Sequence, residues 1–292
     1  MVAYPRTILA ILILLLAIPT YNHYIGTPHF IHHKTDPPNY TIKYAPIVLQ
    51  DGEKLENCIV MRKNHQSLNP FPHNFYYPLI MVHGKNIVIR NVKIYGNMLK
   101  NHCQSNDGSN IGILVDSSSH VVIKNVVIVN TQGDAINIHN SEFVDVKNVE
   151  AYAEEIYPYC ALAVGGSRYV TVKNFKTFGF NHAVELYHPV DGVRQNYAIF
   201  FIDCMLFSHP QPSKHVGSVY VFEGRNVNFI RCQMNDRVLI TGEQTFYRPT
   251  VDDVRFKNCV APRVEVCYEG NVGEIVIYPP NSIEVVRWET HG

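Results

Sequence analysis

Val121-Val122-Ile123-Lys124-Asn125-Val126 is one copy of a recurring phrase: two or three β-branched or aromatic residues, then a basic residue, Asn and an apolar residue. It returns as Ile87-Val88-Ile89-Arg90-Asn91-Val92, Val144-Asp145-Val146-Lys147-Asn148-Val149 and Val170-Thr171-Val172-Lys173-Asn174-Phe175. Looser copies are Phe201-Ile202-Asp203-Cys204, Phe229-Ile230-Arg231-Cys232 and Phe256-Lys257-Asn258-Cys259. The Asn-equivalent positions 91, 125, 148, 174, 203, 231 and 258 lie 34, 23, 26, 29, 28 and 27 residues apart. A period in this range means stacked supersecondary units, each contacting only its neighbours.

Each unit holds short alternating runs separated by polar turns, with no stretch of helical periodicity. Gly112-Ile113-Leu114-Val115 precedes Asp116-Ser117-Ser118-Ser119, then Val121 to Val129, then Asn130-Thr131-Gln132-Gly133-Asp134. Strands without helices between them fit a solenoid in which each strand pairs with its equivalent one coil away. A propeller is the rival, but its blades are longer, about 40 residues or more. The sequence therefore predicts an all-β, single-domain, right-handed parallel β-helix of about 8 coils, occupying residues 40–292 with a cap at each end. Stacking predicts an inward ladder of Val92, Val126, Val149, Phe175, Cys204, Cys232 and Cys259. Those three cysteines are then core thiols, which leaves Cys58, Cys103, Cys160 and Cys267 as candidates for disulfides. Asn91, Asn125, Asn148 and Asn174 are expected at a bend where Asn tolerates left-handed backbone and its amide bonds the next coil.

The N-terminus carries an unbroken apolar run, Ile8 to Ile18, closed by Pro19. It matches a secretory h-region and is shorter than the roughly 20 residues that span a bilayer. Ala17-Ile18-Pro19 is a poor cleavage signal, so residues 1–25 are read as a signal peptide or an uncleaved membrane anchor. Either reading places the β-helix outside a membrane, secreted or tethered. Residues 26–39, rich in His and Pro, read as a linker; its His29, His32, His33 and Asp36 lack a fixed frame and are taken as solvated, so no metal is expected. Asn39-Tyr40-Thr41 is a single glycosylation sequon. Lys plus Arg and Asp plus Glu both number 25, giving a formal net charge of zero that argues against nucleic acid as partner.

The stretch Gly112 to Asn125 followed by Gly133-Asp134-Ala135-Ile136-Asn137-Ile138 resembles the pectin-lyase-like superfamily, and within it the polygalacturonase family of glycoside hydrolases. The resemblance implies an inverting polyuronide hydrolase that uses aspartates on consecutive coils, a His and an Arg-x-Lys pair. This sequence departs from that pattern at each element. Ser109-Asn110-Ile111 stands where Asn-Thr-Asp is expected, Gly133-Asp134 replaces an Asp pair, Tyr159-Cys160-Ala161 replaces Gly-His-Gly, and Glu185-Leu186-Tyr187 replaces Arg-Ile-Lys. Inversion needs two carboxyls with a water between them, so the family's own chemistry is expected to be lost.

Aligned coils place Asp134, His182, Glu185 and Tyr187 on one lateral face, with Asn137 beside them and Asp107 on the 98–110 loop. Two readings follow. In one, the face binds a glycan, or the protein is a structural part of a cell envelope or virion with protein partners; Asp107, Asn137 and Tyr187 would contact ligand. In the other, Asp134, Glu185 and His182 form a rearranged catalytic set of a polysaccharide hydrolase or lyase. The bland alternative is a turn aspartate, a satisfied imidazole and a solvated strand face. No Gly-rich phosphate loop or Gly-x-Ser-x-Gly elbow occurs, and no cofactor is implied.

Overall fold

In the repeated phrase, strict in-out alternation fails at one point, and that failure makes the corner. Val121 and Ile123 are buried, Lys124 and Asn125 are both exposed, and Val126 and Ile128 are buried again. Asn125 adopts a φ of 54°. A left-handed residue turns the chain and shifts the phase of alternation, so the strand arms on both sides of the corner send apolar side chains to one interior.

A computed structural model describes residues 40–61, 78–96, 111–131, 133–153, 159–187, 194–209, 217–241, 250–267, 271–278 and 283–288. These contain strands and no helix. Two parallel sheets alternate along the chain. The first, 13-stranded, runs in order through Thr41–Tyr44, Lys54–Met61, Lys85–Tyr95, Ser119–Val129, Glu142–Tyr152, Arg168–Phe180, Tyr197–Ile202, Gly224–Ile230, Thr250–Lys257 and Asn271–Val272, with three short strands off this path. The second, 10-stranded, runs through Ile47–Leu49, Ile80–Val82, Ile113–Asp116, Ile136–His139, Cys160–Gly165, His182–Tyr187, Val219–Val221, Val238–Thr241, Arg263–Cys267 and Glu284–Trp288. Apart from the three short off-path strands, successive strands alternate between the sheets, and every pairing is parallel, which makes the fold a parallel β-helix.

The interior is a set of ladders. Leu55, Ile89, Ile123, Val146, Val172, Phe201, Phe229 and Phe256 pair in register. The three phenylalanines stack with centroids 4.9 and 5.0 Å apart and planes within 7°. The ladder expected around Val92 is present and starts one coil earlier, at Cys58. None of Cys58, Cys160, Cys204, Cys232, Cys259 and Cys267 is in a disulfide. This corrects the disulfide candidates Cys58, Cys160 and Cys267; Cys103 lies outside the described residues. The reason is position: Cys58 is a core rung, as are Cys204, Cys232 and Cys259, whose thiols face backbone carbonyls of the preceding coil, for example Cys259 Sγ to Phe229 O at 3.2 Å.

Two left-handed columns run along the first sheet. In one, each Asn amide donates to the Asn of the coil before, Asn91 to Asn57, Asn125 to Asn91, Asn148 to Asn125 and Asn174 to Asn148, at 3.0–3.1 Å. The other contains Asn86, His120, Phe143, Tyr169, Ala198, Asn226 and Asp253, with φ between 54° and 60°. For Phe143 and Tyr169 that conformation costs about 1–2 kcal/mol each. Between the sheets, Ser118, Ser141, Ser167 and Asn196 form a buried polar column in which each side chain accepts the backbone N–H one coil earlier. The corner can therefore be buried without orphaned donors.

Candidate functional site

The central strands of the second sheet, Ile136–His139, Cys160–Gly165 and His182–Tyr187, are buried on both faces, so their outward side chains form a packed layer. The middle strand of the three carries the smallest of them. Cys160 pairs with His182; Ala163 lies between Asn137 and Glu185; Gly165 lies between His139 and Tyr187. The strand Cys160–Gly165 is thus a low rung between two rungs of polar and aromatic side chains. Those side chains lean across it. A Cβ on Gly165 would sit 2.4 Å from the Tyr187 ring, so only Gly lets that ring cross. Having crossed, the Tyr187 hydroxyl donates to Asn137 Oδ1 at 3.1 Å, and the ring lies parallel to His139 at 6.4 Å.

The carboxyls lie beneath this layer. Asp134 Oδ2 accepts from Asn137 Nδ2 at 2.7 Å, and Asp134 Oδ1 is buried with no hydrogen-bond partner among the described residues. Burial pushes Asp134 up to about 7, against the opposing bonds from Asn137 and the Cys160 amide. Glu185 is raised to about 8, first by burial and then by the negative charge of Asp134; its bond from Tyr159 opposes this. Tyr159 donates to Glu185 Oε1 at 3.1 Å. Burial and the Glu185 charge raise its own ionisation far out of range, so it stays a donor. Cys160 is likewise held as a thiol by burial beside both carboxyls.

His182 stands apart from this hydrogen-bonded set. Its Nδ1 lies 3.2 Å from Gly217 O, which can only accept, so the proton sits on Nδ1. Burial lowers its pKa and keeps it neutral. The ring packs parallel to Tyr220 at 5.5 Å and edge-on to Tyr159 at 5.9 Å. At the far end of the trough, His139 Nδ1 and Asp116 Oδ1 are 2.8 Å apart. That bond, ahead of the opposing effect of burial, holds Asp116 below the usual carboxylate range.

Of the residues singled out from sequence, Asp134, Asn137, Glu185 and Tyr187 come together, His182 adjoins them through Tyr159, and Asp107 lies outside the described residues. Sequence reasoning missed Tyr159, His139, Asp116 and Tyr220. Tyr159 was in view only as the replacement of a family motif; the small outward residues of Cys160–Gly165 were the signal that flanking side chains would converge there.

No protein-family model matches the chain, and no curated protein sequence matches it. Solved structures do. A polygalacturonase from Erwinia carotovora ssp. carotovora superposes with a TM-score of 0.49 at 11% identity, covering 86% of this chain and 87% of that one. PfbA, a surface adhesin of Streptococcus pneumoniae, gives 0.42 at 11%, covering 87% and 84%. An alginate lyase from Paenibacillus sp. gives 0.34 at 11%, covering 80% and 90%. The shared feature is the parallel β-helix itself. Chemistry is not transferred at such identities, so the site must be judged on its own residues.

Those residues divide by depth. Asp134, Asn137, His182 and Glu185 are 5–8% exposed, whereas Tyr159 is 37% exposed and Tyr187 half-buried. The buried groups hold the tyrosines, and the tyrosines face outward.

Proposed function

We propose that the protein is a glycan-binding β-helix, exported or membrane-tethered, with the trough over Cys160–Gly165 as its recognition face. One observation carries this: the hydrogen-bonding groups of the trough are spent on fixing two tyrosines, Glu185 on Tyr159 and Asn137 on Tyr187. A fixed tyrosine offers a sugar both a flat apolar surface and a hydroxyl at low entropic cost. His139 and Asp116 extend the polar edge. In this reading Asp134 and Glu185 are positioning residues.

A second reading is favoured by the coupling between the two carboxyls. With Asp134 near 7 and Glu185 near 8, the pair retains protons at neutral pH. Two carboxyls that differ in protonation are the raw material of an acid-base pair. A rearranged hydrolase is therefore the alternative.

The two are separated by incubating the protein with neutral and acidic oligosaccharides while measuring both binding and product. Binding without new reducing ends or unsaturated product, weakened by Tyr159→Ala and Tyr187→Ala, is the expected result. Turnover that disappears in Asp134→Ala would establish the hydrolase instead.

A further inference from the structure

The first sheet carries a second polar surface that the trough does not use. Lys85, Ser119, Glu142, Arg168, Tyr197 and Arg225 stand in register on consecutive strands, about 4.8 Å per step. Beside this row a cleft of about 310 Å³ is lined by Lys85, Ser117, Asn140, Glu142 and Arg194. Ser117 and Asn140 turn there with φ of 48° and 47°. Among the described residues Lys85, Arg168, Arg194 and Arg225 make no ion pair. Four cations thus accompany Glu142, in a chain whose formal net charge is zero. Carboxylates close the row at its ends: Asp51, which accepts the Lys85 amide, and Asp252, next in register after Arg225. Five residues further along the same strands a second column, Arg90, Lys124, Lys147 and Lys173, is also in register, with Arg90 paired to Glu56 and Lys147 to Asp145.

An aromatic strip adjoins the first row, with His120, Phe143 and Tyr169 one residue further along their strands and Tyr197 from the row itself. His120 and Phe143 stack at 5.0 Å, Phe143 and Tyr169 at 4.9 Å, and Tyr197 meets Tyr169 edge-on at 5.8 Å. Phe143 and Tyr169 are 45% and 46% exposed and hold left-handed backbone that bulky residues avoid. Backbone strain beneath exposed rings calls for a use beyond packing. Because His120, Phe143 and Tyr169 face one another, they turn their edges outward, and ring edges carry the positive end of the quadrupole. The strip and the cations beside it therefore have the same electrostatic sense. A nucleobase requires an open ring face to stack on, and Phe143 and Tyr169 each have a ring on both sides.

We propose that this corner of the first sheet binds an anionic polysaccharide laid along the stack of coils. Its carboxylate or sulfate groups meet Lys85, Arg168, Arg194 and Arg225, and its backbone lies against the edges of Phe143 and Tyr169. The class of ligand rests on the glycan reading above; the location does not. The cleft at Lys85 and Arg194 takes one acidic group, and the row continues the contact from coil to coil.

The test is titration calorimetry of the full chain with four probes of matched length: a heparin oligosaccharide, an oligogalacturonate, a maltooligosaccharide and single-stranded DNA. Expected is binding of one or both acidic sugars about tenfold or more tighter than the neutral one, weakening as salt is raised. Which acidic sugar binds tells sulfate from carboxylate. Arg168→Ala and Arg194→Ala should each cost about fivefold to tenfold. Phe143→Asn should weaken binding while leaving the far-ultraviolet circular dichroism unchanged, since Asn accepts the same φ. Equal affinity for acidic and neutral sugars, or an Arg168→Ala/Arg194→Ala protein that binds as before, overturns the proposal. If neutral binding still depends on Tyr187, the trough reading survives that result. DNA binding as tight as the acidic sugars also overturns it, and no binding of any sugar overturns both readings.

Discussion

The buried carboxyls predict a pH dependence opposite to ordinary acid denaturation. Asp134 moves from its usual 3.8 to about 7 and Glu185 from 4.5 to about 8 on folding. Between those limits the native state keeps protons that the unfolded chain has released, so stability falls as pH rises. The contribution is fully present below about pH 4 and is lost by about pH 8. For Asp134 alone the loss corresponds to about 4 kcal/mol. Glu185 adds to it, but part of its shift exists only while Asp134 is charged, so the two do not sum. His182 acts in the other direction: its pKa is lowered by burial, so below its unfolded value it favours unfolding as pH falls. The clean measurement is therefore a difference. Guanidinium unfolding of the wild type and of Asp134→Asn/Glu185→Gln should be followed at pH 5 and pH 8 at one ionic strength. His182 is common to both proteins and cancels. The amides keep the acceptors used by Asn137 and Tyr159, so the trough should stay assembled. The wild-type midpoint should fall relative to the variant by about 1 M between the two pH values. A parallel pH dependence of the two proteins would refute the reasoning, because the carboxyls would then be as solvated in the folded state as in the unfolded one.

Asn148→Ala removes a donor to Asn125 and an acceptor for Asn174 at a φ of 52°. It should cost about 2–4 kcal/mol, of which about 1–2 is backbone strain; Asn148→Gly, free of that strain, should cost less in chemical denaturation. Gly165→Ala places a methyl 2.4 Å from the Tyr187 ring. It should break the Tyr187–Asn137 bond, displace the ring in a crystal structure and reduce glycan affinity about tenfold, with a stability loss of about 1–3 kcal/mol.

The fold was legible because the repeat is written in residues that act locally. Asn at a left-handed corner and β-branched residues on its two sides specify a turn and two arms wherever they recur, and a regular recurrence leaves little choice but stacking. Asn91, Asn125, Asn148 and Asn174 were placed correctly on that logic, as were the thiols of Cys204, Cys232 and Cys259. Cys58 was missed because its own copy of the phrase, Glu56-Asn57-Cys58, lacks the basic residue. The site was legible only in part. Register could place Asn137 and Glu185 on one face, but side-chain length across an intervening rung decides contact, and that depends on what the rung omits. Gly165 and Ala163 are informative for what they lack. Neither the unpaired cations of the first sheet nor the edge-out rings of Phe143 and Tyr169 could be found by counting charges over a chain that sums to zero.

In a solenoid, function is written as a break in the repeat. A coil that copies its neighbours stacks like on like, which satisfies apolar, thiol and Asn side chains but sets equal charges about 4.8 Å apart. A charged or oversized side chain is therefore accommodated where the next coil differs, or where a carboxylate is at hand, as for Arg90 with Glu56 and Lys147 with Asp145 in the column of stacked cations. The low rung Cys160–Gly165 is such a difference, and it lets His182, Glu185 and Tyr187 occupy space that an average coil would fill. The alternation of Lys85, Ser119, Glu142, Arg168, Tyr197 and Arg225 is another: cations spaced by a hydroxyl, a carboxylate and a ring can face solvent together without facing each other directly. Both proposed binding faces lie at such departures, whereas the undisturbed ladders of Asn, Val and Phe between them serve to hold the two faces in fixed register.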